Sequence, residues 1–107
     1  MKKLHSIFTD NMEKCIISHN ENPSDIERHH VFGGFNRKRS EKYGFIAPLD
    51  KRLHPNGANC SEENWRVLDH HLKQYCQEWY EENVGTREQF IAEFGRNYIG
   101  YEVEKEK

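Results

Sequence analysis

Long apolar runs are missing from this 107-residue chain, and only 35% of its residues are hydrophobic. The first absence leaves no stretch of membrane-spanning length. The second limits the protein to a small core, which a bound metal or a partner would help to hold together. Cysteine is scarce: Cys15, Cys60 and Cys76 are odd in number and widely spaced, which is not the pattern of a disulfide framework. No apolar segment follows Met1-Lys-Lys-Leu-His5, so no signal peptide is read and a reducing, cytoplasmic setting is expected. An excess of positive charge is missing too. The formal charge is −2, which excludes a generally basic nucleic-acid coat.

What is present is more specific. Aromatic residues make up 12% of the chain and argue against disorder. The charge is unevenly placed. Arg28, Arg37, Lys38, Arg39, Lys42, Lys51 and Arg52 crowd the middle, whereas acidic residues gather from Glu62 to Glu106. A basic middle beside an acidic end suits one face that meets phosphate, although alone it is also what ordinary solvated charge looks like. Residues 1–101 are read as one domain and 102–107 as a loose tail.

Along the chain, Ile7-Phe8 and Cys15-Ile16-Ile17 suggest a hairpin. Asn20 to Asp25 has the composition of a loop, and Ile26 to Phe32 reads as a strand. Gly33 to Gly44 reads as a basic, glycine-bounded loop, and Phe45 to Leu49 as a second short strand in which Pro48 is tolerated near the end. Asp50 caps a helical turn leading to His54. Ser61 is the expected N-cap of a helix running to about Glu82, with Trp65, Leu68, Leu72, Tyr75, Cys76 and Trp79 on its apolar face. Thr86 caps a last helix with Phe90, Ile91 and Phe94 inward and Gly95 as its stop, and the aromatic stretch Asn97 to Tyr101 packs back on the domain.

The segment Arg28-His29-His30-Val31 carries the chemistry. Neighbouring residues of a strand point to opposite faces, so His29 and His30 cannot share one job. One can hold a metal while the other takes a proton, and His54 at the start of the next helix can complete a metal site. Hydrolysis of a phosphodiester needs a base for water, a cation for the phosphate and leaving oxygen, and a side chain that holds the phosphate.

The stretch Ile26-Glu-Arg-His-His-Val-Phe-Gly-Gly34 resembles the first strand of the HNH (ββα-metal) endonucleases, and also that of the colicin-type DNases. Gly33-Gly34-Phe-Asn-Arg-Lys-Arg-Ser40, with Tyr43-Gly44-Phe45 and Pro48-Leu49, looks closer still to small HNH proteins of bacteriophages and prophages. The resemblance covers about residues 12 to 55. It implies an α+β fold: a small ββα-metal finger over about 25–55, with a helical extension over about 61–95. It implies a phage-encoded, metal-dependent endonuclease in a bacterial host, with His30 as general base and His29 and His54 as metal ligands. Asn59 is the candidate third ligand. Mg2+ or Mn2+ leads, with Zn2+ or Ni2+ as softer alternatives. Arg37 is the candidate phosphate clamp, with Lys38, Arg39, Lys42 and Arg28 as further nucleic-acid contacts. DNA is the favoured partner, no membrane is implied, and a homodimer is compatible because one such site cuts one strand.

The pattern also departs from the family. A structural zinc held by two Cys-x-x-Cys pairs would fall on Cys15 and Ser18 and on Asp50 and Leu53; one thiol remains, so no structural zinc is expected. That leaves the stabilising to the helix carrying Trp65 and Trp79. The asparagine of the family name should lie near Tyr43 to Phe45, and Asn36 is its stand-in. These departures support an alternative, a catalytically degenerate HNH scaffold that binds nucleic acid or regulates. A third reading is an inhibitor that mimics nucleic acid with its acidic end. The second pair, His70-His71, sits in a helical pattern and is read as structural, with His71 near Leu68 and Leu72 and His70 on the polar side. His5 and His19 are read as surface residues, and Cys60 and Cys76 as small core fillers.

Overall fold

The uninterrupted apolar stretch from Phe45 to Leu49 becomes the centre of the fold. In the computed structural model, which describes residues 5–53 and 62–102, it lies in β2 (Ile46–Asp50), paired antiparallel with β1 (Ile26–His30) in a two-stranded sheet. The register sets Ile26 opposite Asp50, Arg28 opposite Pro48 and His30 opposite Ile46. Three helices complete an α+β architecture: α1 (Arg37–Tyr43), α2 (Glu62–Asn83) and α3 (Arg87–Phe94). No helix among the described residues is long and apolar enough to cross a membrane.

Every residue of β2 is buried, whereas in β1 Ile26, His29 and His30 are half-buried and Glu27 and Arg28 exposed. A two-stranded ribbon does not bury a strand by itself; the amino-terminal segment does it here. Ile7 N–H donates to the Gly44 carbonyl, Ser6 Oγ to that of Ile46 at 2.6 Å and Ile16 N–H to that of Pro48 at 3.1 Å. These bonds satisfy the edge of β2 that β1 leaves free. They also explain Pro48: its backbone faces this outer edge, so its missing N–H removes no bond from the ladder. The expected hairpin over Ile7 to Ile17 is therefore corrected. Residues 5–20 form turns and bends that lie along β2 without becoming strands.

The basic loop expected over Gly33 to Gly44 contains a helix, α1, preceded by a 3-10 turn at Gly34–Asn36. Its seven residues offer only Tyr43 as a large apolar side chain, too few for a hydrophobic period to be read. Tertiary bonds hold it instead. Ser40 is buried; its hydroxyl donates to the Phe32 carbonyl at 2.8 Å and accepts from the Phe32 N–H at 3.1 Å, which fastens α1 to the end of β1. Gly44 closes α1 in the left-handed region at φ 77°, a conformation that favours glycine.

On the other side of the sheet lies an aromatic core. Phe94 is 4.5 Å from Phe32, 4.8 Å from Phe90 and 5.6 Å from Phe45 between ring centroids. Tyr43 and Tyr80 both donate their hydroxyls to the Glu93 carboxylate, Tyr80 at 2.6 Å, so one acid ties α1, α2 and α3 together. Burial and the adjacent Glu93 push the pKa of both phenols up, which keeps them neutral donors. α3 begins and ends as expected, with a Thr86–Gln89 capping box and Gly95 as its left-handed cap. Phe90 and Phe94 point inward, but Ile91 is exposed.

The buried face of α2 is shifted from the expected one. Leu72 and Cys76 are buried as expected, Tyr80 joins them, and Tyr75 is largely outside although its ring stacks on Phe8 at 4.9 Å. The assignment of the second histidine pair is reversed: His70 is buried and His71 exposed. The cause is the segment after α3, which packs back as expected and covers the polar-looking side of α2. The Tyr101 carbonyl meets His70 Nε2 at 3.0 Å, and Gln77, fully buried, accepts the Tyr98 N–H at 2.7 Å and donates to Asn97 Oδ1 at 2.8 Å.

The sharpest electrostatic feature is Asp50, whose side chain is 1% exposed. Arg52 Nη2 reaches it at 2.7 Å, Arg52 Nε at 3.1 Å, Asn20 Nδ2 at 3.0 Å and Ser18 Oγ at 3.4 Å. Its Oδ1, which also takes the Arg52 Nε bond, accepts the Arg52 N–H at 3.0 Å, which starts the turn Lys51–Leu53 in the manner expected of a cap. Hydrogen bonds from the Arg52 side chain and backbone, then Asn20, hold the carboxyl far below the usual carboxylate range. Burial pushes the pKa of the neighbouring Cys15 thiol up, but bonds from Ser18, Asp50 and Ile17 together outweigh it and bring the pKa below that of an ordinary thiol. Cys15, Ser18 and Asp50 therefore form one polar knot joining the amino-terminal segment to the end of β2. The stabilising role expected of Trp65 and Trp79 falls in good part to this knot, since both tryptophans are only half-buried.

Two expectations follow. Phe94→Ala removes the ring on which the core converges and should lower stability by about 3–5 kcal/mol, read by guanidinium unfolding. An Asp held low in the folded state contributes stability that is fully present above its unfolded value of about 4. That contribution is lost as the pH falls through the folded value. Asp50→Asn should thus cost about 2 kcal/mol near neutral pH and flatten the loss of stability below about pH 4. An unchanged acid limb would show that Asp50 is not the group responsible.

Candidate functional site

β1 delivers its two histidines to different neighbours. The His29 ring meets Trp65 edge-on at 5.0 Å and 78°, so it faces the first turns of α2. The His30 side chain is 12% exposed and its Nε2 lies 3.7 Å from Glu41 Oε1 of α1. That distance is beyond a hydrogen bond, and His30 Nε2 is buried without one among the described residues. The carboxylate nevertheless stands on the Nε2 side of the ring, so Nδ1 is the nitrogen farther from Glu41. Glu41 was not singled out from sequence, because it lies in the segment read as a loop; on a helix it projects from α1 toward the end of β1.

The other expected ligands, His54 and Asn59, lie outside the described residues, as does Cys60. Among the described residues no three His, Cys, Asp or Glu side chains stand together as a metal-holding group. His29 supplies one imidazole, a donor suited to a divalent transition ion or, with oxygen ligands, to Mg2+ or Mn2+. The connection that bears His54 and Asn59 runs from Leu53 to α2, and it is α2 that presents Trp65 to His29.

The cationic residues divide into two groups. Arg37, Lys38, Arg39 and Lys42 are exposed on the short helix α1. Arg37 and Lys38 pair with no acid among the described residues. Arg39 donates to Asn36 Oδ1 at 2.8 Å and stands 4.0 Å from Glu93, and Lys42 lies 5.0 Å from the Tyr43 ring centre. Arg28 is exposed but belongs to another surface: with His5, Asp10 and Glu13 it lines a cavity of about 450 Å3 against the amino-terminal segment. The acids in that wall make Arg28 a weaker phosphate ligand than the α1 cations. Asn36 acts as a brace, donating to the Phe94 carbonyl at 3.4 Å while accepting from Arg39.

Cys15, Ser18 and Asp50 come together, and they do so through hydrogen bonds. His5 and His19 are exposed, as expected, and Cys76 is fully buried, where burial pushes its thiol well up. Comparison with known proteins finds no match to this chain, whether among protein-family models, curated proteins or solved structures.

Proposed function

We propose that this protein is a metal-dependent endonuclease of HNH type that hydrolyses phosphodiester bonds in nucleic acid, DNA by preference. The observation that carries the reading is the division of labour on β1: His29 turned toward α2, and His30 turned toward an acid of α1, on a strand that runs on into a cationic helix. His29, His54 and Asn59 are the residues that would hold a divalent ion. When bound, the ion would neutralise charge on the phosphate and the leaving oxygen.

The remaining chemistry belongs to the chain itself. Arg37 and Lys38 hold the phosphate, with Arg39 and Lys42 as secondary contacts. His30, oriented by Glu41, takes a proton from water at Nδ1 as the water attacks phosphorus. Removing the base should cost about 100- to 10,000-fold in rate. A catalytically inert, nucleic-acid-binding version of the same scaffold is the second reading, and the near-complete burial of the His30 side chain favours it.

The two are separated by nicking of supercoiled plasmid and cleavage of single-stranded circles with chelator-stripped protein, adding back Mg2+, Mn2+, Zn2+ or Ni2+. The endonuclease reading expects ion-dependent cleavage, lost in His30→Ala and in His29→Ala, with DNA binding retained. Binding with no cleavage under any ion would leave the inert scaffold, and equal cleavage by wild type and His30→Ala would sink both the base assignment and the activity.

A further inference from the structure

Phe35 has a relative exposure of 101%, whereas the other large apolar side chains left outside range from 36% to 47%. Scattered, partly exposed apolar residues are normal on a protein surface. A phenylalanine that gives up all of its burial is not, and this one is held out by its surroundings. Two residues before the Gly33–Gly34 pair, Val31 N–H donates to the Phe45 carbonyl at 3.0 Å; the next residue, Phe32, is buried and held by two hydrogen bonds to the Ser40 hydroxyl. Just after Phe35, Asn36 is pinned by its own N–H to the Gly33 carbonyl at 3.0 Å and by its side chain to Phe94. Gly34 adopts φ 58° between them, a conformation that β-carbon-bearing residues rarely take, and it turns the chain outward. The ring therefore stands on a braced tip from which it does not fold back to the core.

The surroundings are cationic. Arg37 and Lys38 follow within three residues, both exposed and without an acidic partner among the described residues, and Arg39 and Lys42 lie on the same helix. An exposed aromatic face beside side chains that attract phosphate is the pairing by which proteins hold single-stranded nucleic acid, stacking on the base while cations follow the backbone. We infer that Phe35 stacks on an unpaired base of the nucleic acid whose phosphates Arg37 and Lys38 hold, so that the substrate is single-stranded or locally unpaired. This rests on the endonuclease reading above and adds a substrate class to it. Paired bases in an intact duplex have both faces covered, so the ring meets them only at the cost of unstacking.

The test compares wild type with Phe35→Ala and Phe35→Trp, as full chains in EDTA so that nothing is cut, by fluorescence anisotropy. The probes are an oligothymidylate, an oligomer of the same length with abasic sugar-phosphate units, and a duplex. Phe35→Ala should weaken oligothymidylate binding about 10- to 100-fold, the range of one lost base stack, and leave the abasic oligomer unchanged. Phe35→Trp should retain wild-type affinity, and all three proteins should share one melting temperature, since the ring supports nothing in the fold. Equal affinity of wild type and Phe35→Ala for oligothymidylate overturns the inference, while wild-type binding leaves the reading it rests on standing. So does a loss at least as large on the abasic oligomer or the duplex. A wild-type dimer that dissolves in Phe35→Ala with no change in binding would instead make the ring a contact between copies. Absence of binding to every probe by wild type removes the endonuclease reading itself.

Discussion

A five-residue strand buried on all sides, with a single partner strand, is the constraint on which this molecule is built. Among the described residues β2 has no second neighbouring strand, yet all of its own residues are buried. The missing neighbour is replaced on one edge by the amino-terminal segment, which supplies single hydrogen bonds at Gly44, Ile46 and Pro48. Beneath the sheet the replacement is an aromatic cluster drawn from α1, α2, α3 and the segment after α3. At the far end, the buried Asp50 carboxylate gathers Ser18, Asn20 and Arg52. Burying a charge without partners costs far more than such a small domain can bear; here the carboxylate is surrounded by donors and fixes the corner from which the chain leaves toward His54.

Because β2 is immobilised in this way, β1 is held by the ladder in one register, and register decides which way each histidine points. A slip of one residue would exchange His29 and His30. The active-site proposal thus depends on packing remote from it. The same packing sets α1 beside the end of β1, through the Ser40 bridge to Phe32, and so puts Glu41 next to His30 and the cations of α1 beyond it. The connection between the two antiparallel strands thus carries both Glu41 and the exposed cations of α1.

Much of this frame was legible in the residues. The His-His segment between a polar loop and the turn-forming Gly33-Gly34 marks β1, the apolar run marks β2, the three- and four-residue steps mark α2, and Thr86 with Gly95 brackets α3. The elements that escaped are those held by tertiary bonds rather than by their own pattern. α1 has no apolar stripe; its stability comes from Ser40, Tyr43 and the Gly44 cap. The amino-terminal segment looks like a hairpin because Ile7-Phe8 and Cys15-Ile16-Ile17 are β-prone, but β2 uses their backbone one bond at a time. His70 looks polar and His71 apolar until the Tyr98–Tyr101 segment covers one side of α2. Within the site, the opposite facing of His29 and His30 could be read from strand geometry. Glu41 and Phe35 could not, since their roles depend on a helix and a braced turn that the sequence does not announce.

The central claim is that His29 and His30 do different work, one toward an ion and the other toward water. The most direct measurement is a Mn2+ titration of the full chain, followed by paramagnetic broadening of the histidine imidazole resonances assigned by single substitutions. The account expects His29 and His54 to broaden first and together, at one equivalent, with His30 less affected and His70 and His71 later still. Broadening that begins at His71 and reaches His29 only with excess ion would contradict it, because the ion would then have no seat on β1.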